Sequence, residues 1–120
     1  MKEDNIVLRK SYDFAIRIVK LNRYLKERKR EFVLSNQILR AGTSIGANIE
    51  EALGGQSGDD FVHKISIAYK EARETKYWIN LLFAGGYLTE AQKESLLDDC
   101  LEILKILGSI QITMKKNNCD

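Results

Sequence analysis

An all-α chain, folded as an antiparallel up-down-up-down four-helix bundle, is what these 120 residues predict, and three features carry the expectation. Proline is absent throughout. Apolar residues recur at alternating spacings of three and four through four long stretches, the period of a helix that buries one stripe. Clusters of glycine at 54–58 and 85–86 then fall between stretches, where helices end. Four helices of about twenty residues joined by short connections pack against their chain neighbours, which gives the bundle. The chain has the length of one domain, taken as residues 1–120, and is long enough to bury a core without staples.

The first helix is expected over 5–29, capped by Asp4 or Asn5. Its stripe is Val7, Ser11, Phe14, Ile18, Leu21 and Leu25, widened by Leu8, Ala15 and Val19. The second spans 36–53, with Ser35 as an N-cap worth about 1 kcal/mol. The third spans 59–84, capped by Ser57 or Asp59, with Phe61, Ile65, Ala68, Ala72, Ile79 and Leu82 inward. Thr89 and Gln92 form a capping box for the fourth, 90–115, whose inner face is Leu96, Cys100, Ile103, Leu107, Ile110 and Met114. Beyond it the polar tail from Lys115 to Asp120 is expected to fray.

The second helix carries two stripes. Ile38, Gly42, Ile45, Ile49 and Ala52 form the core stripe. About a third of a turn away, Gln37, Arg40, Ser44, Asn48 and Glu51 line up hydrogen-bonding groups along one flank. Gly42 and Gly46 are each about 1 kcal/mol worse than alanine in a helix, so two of them one turn apart imply a close approach by another element.

The net charge of +2 is small, but it is unevenly spread. Arg9 to Arg40 holds ten basic residues against three acids, peaking at Arg23, Lys26, Arg28, Lys29 and Arg30. Glu90 to Glu102 holds five acids against Lys93. In the bundle these stretches share one end, so the clusters are expected to neutralise each other. Cys100 and Cys119 are too few for a disulfide framework and have no metal-ligand spacing, which fits a reducing cytoplasm. Charged residues follow Met1 at once and no run of about 18 apolar residues occurs, so neither export nor a membrane partner is expected.

Enzyme signatures are missing at the positions that would carry them. His63 follows Asp60 by three residues, but a di-iron bundle needs that pair twice, and the chain has one histidine. No metal site or cofactor is expected. Ser44 has no base at a useful spacing, so its hydroxyl is assigned to a carbonyl one turn back or to a neighbouring helix. The GGQSG of 54–58 lacks the lysine of a phosphate loop. No catalytic residue and no small-molecule substrate are expected.

RAGTSIGANIEE, with Arg40 and Ala41, Ser44 and Ile45, Asn48 and Ile49, and Glu51, resembles the bacterial four-helix-bundle family encoded in intervening sequences of 23S ribosomal RNA genes. Phe61, Ile65, Ile67, Ala68, Glu74 and the GYL of 86–88 extend the resemblance over nearly the whole chain. It departs at Ala52, where the family often has glycine, and at Gly46, where proline is common. The resemblance implies a homo-oligomer, with a pentameric ring as its form, and no enzymatic activity. It also implies kinship to the accessory protein of diversity-generating retroelements, a more basic bundle associated with nucleic acid and reverse transcriptase.

Arg40 and Glu51 stand about 16 Å apart along a helix and cannot pair with each other. Their partners are solvent, or Glu71 or Glu74 of the third helix in an ion pair, or a second subunit, where charged and amide groups set register. Ile67 and Trp78 lie off the third helix's core stripe beside Glu71 and Glu74, as interface anchors do, unless a wide core face includes them. The expectation is therefore a non-enzymatic self-assembling scaffold, with contacts at Gln37, Arg40, Ser44, Asn48, Glu51, Ile67, Glu71, Glu74 and Trp78. The alternative is an RNA- or DNA-binding module that holds phosphates with Arg23, Lys26, Arg28, Lys29 and Arg30.

Overall fold

A computed structural model describes residues 2–55 and 57–118, with the side chains of 2–4 and 118 outside that description. Four helices follow in order: α1 (Lys2–Glu27), α2 (Leu34–Leu53), α3 (Gly58–Ala84) and α4 (Glu90–Asn118). They form an elongated bundle of 51 × 22 × 20 Å. Each helix packs on its chain neighbours and α1 closes against α4; the α2–α3 seam is the most extensive and the α1–α4 seam the least.

The apolar stripes build the core much as their spacing requires. Val7, Ser11, Phe14, Ile18, Leu21 and Leu25 are all buried on α1, as are Leu96, Cys100, Ile103, Leu107 and Ile110 on α4. Phe61 and Met114 are half-buried at the stripe ends. Val19 departs from expectation: it turns outward and is 44% exposed. Thr75 fills the gap in the α3 stripe between Ala72 and Ile79, and its hydroxyl donates to the Glu71 carbonyl at 2.8 Å, which makes its burial tolerable. A Cβ on Gly42 would lie 2.8 Å from Ile18 Cγ1, and one on Gly46 would lie 3.3 Å from Ser11 Oγ, so α1 is the element that approaches α2 closely.

The helix ends bring corrections. α1 stops at Glu27, two residues before the expected Lys29, and begins at Lys2, so Asp4 and Asn5 lie inside it. Ser35 does not cap α2. It sits in the first turn, fully buried, with no hydrogen-bond partner for its hydroxyl among the described residues. Glu31 does the capping instead: its carboxylate accepts from Ser35 N at 2.7 Å and Val33 N at 3.2 Å, satisfying donors that a helix start leaves free. Glu31 N in turn donates to the Leu25 carbonyl at 3.0 Å, so one residue ends α1 and begins α2.

The other signals hold. Ser57 Oγ accepts from Asp60 N at 3.1 Å, and Asp59 lies in the first turn. Gly85 closes α3, and Gly86 follows at φ +87, a left-handed conformation that side chains disfavour. Thr89 and Gln92 exchange both bonds of the capping box, at 2.8 and 3.1 Å. α4 continues through Lys115 to Asn118, past the expected end, while Cys119 and Asp120 lie outside the described residues. No described helix is long and apolar enough to cross a membrane.

Candidate functional site

The polar stripe of α2 faces α3, and the chain itself supplies its partners. Arg40 donates to Glu71 at 3.0 Å and to Glu74. The Glu74 hydrogen bond, opposed by some burial, keeps the guanidinium pKa above its ordinary value. One helical fork thus answers two carboxylates a turn apart, which fixes the register of α2 against α3. Glu51 reaches Lys64 at 3.4 Å. Ser44 Oγ donates to the Arg40 carbonyl at 2.6 Å and Asn48 Nδ2 to the Ser44 carbonyl at 2.8 Å, so both side chains return to their own helix. Of the expected contacts on this stripe, Gln37 stands exposed with no partner among the described residues.

Ile67 and Trp78 are half-buried, and Trp78 packs against the core cluster. Its indole Nε1 is buried without a partner among the described residues. Tyr77, 58% exposed, meets the Trp78 ring edge-on at 5.1 Å and 73°. This aromatic pair sits on α3, one turn beyond Glu74.

The basic and acidic clusters do not neutralise each other as expected. The antiparallel register sets Arg17 beside Asp99 at 2.6 Å, with further bonds to the Ser95 carbonyl and hydroxyl, and sets Lys10 beside Glu102. Asp99 and Glu102 are thus matched about two to four turns before the basic peak. Arg23, Lys26, Arg28, Lys29 and Arg30 make no ion pair among the described residues. Arg28 to Arg30 form an exposed corner with Phe32 and Val33, and Arg30 holds φ +55.

Two nucleophilic side chains are committed elsewhere. Ser44 bonds its own helix, and the buried Cys100 thiol donates to the Ala72 carbonyl at 3.3 Å. Burial pushes the Cys100 pKa up to about 12, so it stays a neutral thiol. His63 is exposed, and no metal-ligating cluster of three or more His, Cys, Asp or Glu occurs among the described residues.

The signal that composition and stripe analysis missed is an uncovered apolar surface. Tyr12, Ile16 and Val19 on α1 and Leu101 and Ile112 on α4 stand outside the core. They interleave with charges, so a window that looks for one apolar face passes over them. Their spacing from the core stripe, half a helical turn away, was the available cue.

A sequence profile for 23S rRNA-intervening sequence proteins matches residues 3–109. The chain belongs to that family. Within the 23S rRNA-intervening sequence proteins, a solved relative is a protein of unknown function from the S23 ribosomal protein family of Bacteroides thetaiotaomicron. It is 53% identical, with a TM-score of 0.90 over 91% of this chain and 97% of the relative. No curated protein matches the chain. The match takes in RAGTSIGANIEE, so the residues that first suggested this family are also those that join α2 to α3.

Proposed function

We propose that this protein is a non-enzymatic scaffold that assembles with copies of itself into a closed ring, five being the number that resemblance implies. One observation carries the reading: large apolar side chains stay uncovered on the outer bundle faces, with Tyr12 66%, Leu101 44% and Ile112 68% exposed. Large apolar side chains left uncovered at repeated positions on two helices gain from being covered by a partner. The non-enzymatic part is supported by the commitments of Ser44 and Cys100 to backbone carbonyls. Cysteine usage favours a cytoplasmic setting. Light scattering coupled to size exclusion tests the proposal directly. A multiple of the single-chain mass across a wide concentration range supports it; a single-chain mass throughout overturns it.

A second reading, nucleic-acid binding at the α1–α2 corner, is favoured by Arg30. A left-handed backbone is about 1–2 kcal/mol easier for glycine than for a side chain, yet an arginine holds it, in a corner rich in positive charge that makes no ion pair among the described residues. Arg30→Gly is expected to stabilise the fold by about 1 kcal/mol while weakening salt-dependent RNA or DNA binding in a gel-shift titration. A tighter or unchanged complex in the variant refutes that reading. In a ring these corners gather at one rim, so weak sites act together.

A further inference from the structure

On the outside of α1, Ile6, Arg9, Asp13, Ile16, Lys20 and Arg23 recur at spacings of three and four, forming one straight seam down the helix. All six are exposed. On the outside of α4, Glu94, Asp98, Leu101 and Lys105 recur at spacings of four and three, Ile112 follows two turns later, and all five are likewise exposed. The charges of the two seams make no ion pair among the described residues, whereas Lys10, Arg17, Asp99 and Glu102, which lie between the helices, are all paired. Each seam is thus amphipathic without an ion-pair partner among the described residues of its own chain.

The two seams are complementary when run antiparallel. We propose that the outer face of α1 in one copy docks on the outer face of α4 in the next, with Lys20 and Arg23 against Asp98 and Glu94, and Ile16 and Val19 astride Leu101. The same register then brings Asp13 to Lys105 and Ile6 to Ile112, so opposite charges or apolar groups meet at each seam position except Arg9, which falls opposite Gly108 and Ser109. Shape agrees with charge. Two shallow hollows of about 350 and 370 Å³ flank α1, one lined by Ile16 and Val19 and the other by Ile6 and Asp13. Ile16 and Ile6 lie about 15 Å apart along α1, and Leu101 and Ile112 about 16 Å apart along α4, so the two α4 side chains match the spacing of the hollows.

The pairing rests on the self-association proposed above and specifies its geometry. It joins two different surfaces of the same chain, the head-to-tail kind of contact that closes into rings. Rotation about an axis parallel to the helices leaves every copy pointing the same way. Because α1 and α4 are antiparallel within a chain, α1 of one copy and α4 of the next are then antiparallel too, as the register requires.

Charge reversal tests the pairing. Lys20→Glu with Arg23→Glu, and separately Glu94→Lys with Asp98→Lys, are expected to run at single-chain mass at concentrations tenfold above the parent's half-assembly point, with helical circular dichroism retained. All four substitutions in one chain should restore the parent's mass, because the seams are complementary again. Double variants that keep the parent's mass, or a fourfold variant that stays a single chain, overturn this pairing and leave self-association standing. A parent that is itself a single chain overturns both.

Discussion

The α2–α3 seam and the outer faces of α1 and α4 are both rich in charge, yet they differ in what the chain has already done with it. On the seam, Arg40 has Glu71 and Glu74, Glu51 has Lys64, and Ser44 and Asn48 return to their own backbone. On the outer faces Lys20, Arg23, Glu94 and Asp98 have no charged partner among the described residues and lie beside exposed apolar groups. The seam holds α2 and α3 in register within the bundle, whereas the outer faces leave charged and apolar groups exposed.

Substitutions on the seam should then cost stability and spare assembly. The largest effect is expected at Trp78→Ala. Truncating a half-buried indole packed on the core lowers unfolding free energy by about 3 kcal/mol, read by urea denaturation, while the folded fraction keeps the parent's mass. A variant that loses assembly but no stability would return Trp78 to the interface.

Cys100 gives a pH signature of the buried side. Its folded pKa of about 12 exceeds the unfolded value of 9.0, so the folded state holds the proton longer. Its contribution is fully present below pH 9 and is lost as pH rises toward 12, with a slope of at most about 1.4 kcal/mol per pH unit. Denaturation between pH 8 and 11 should show this slope, and Cys100→Ala should flatten it. An equal slope in the variant would assign the effect to other groups.

Arg40→Ala is smaller again. The guanidinium is half exposed, so loss of both ion pairs costs at most about 1 kcal/mol, with no change in mass by light scattering. Dissociation on this substitution would favour the cross-subunit role over the internal one. The smallest effect has the opposite sign. Ser35→Ala removes a buried hydroxyl that has no partner among the described residues, and should leave thermal stability unchanged or raise it by about 0.5 kcal/mol. A loss near 1 kcal/mol would restore Ser35 as a cap.

These tests also separate what the sequence disclosed from what it withheld. Stripes at helical spacing placed all four helices, and Gly42 with Gly46 foretold a close neighbour, because both depend on periodicity within one element. The Thr89 and Gln92 box was legible for the same reason. Glu31 was not. Its capping bonds reach across a turn whose path depends on Arg30 adopting a left-handed backbone, and no spacing rule encodes that path. The match of acids to Lys10 and Arg17 was equally hidden, since it requires the relative sliding of α1 and α4, helices some eighty residues apart in sequence. Val19 was misassigned to the core because an apolar residue counts the same in a periodic pattern whichever side of the helix edge it falls on. Outward apolar groups of this kind formed the least legible part of the candidate site.

The weak α1–α4 seam also bears on how the chain folds. Three helical hairpins join partners that are close in sequence, so their loops close cheaply and early. Only α1 meeting α4 requires a long closure, spanning 82 residues between Arg17 and Asp99. Arg17, with its bonds to Ser95 and Asp99, sits at that longest closure. On closure cost alone, the hairpins precede the meeting of α1 with α4. The two outer faces reach their final separation only when this latch shuts, so the placing of the exposed groups of α1 relative to those of α4 is set by the costliest closure in the chain.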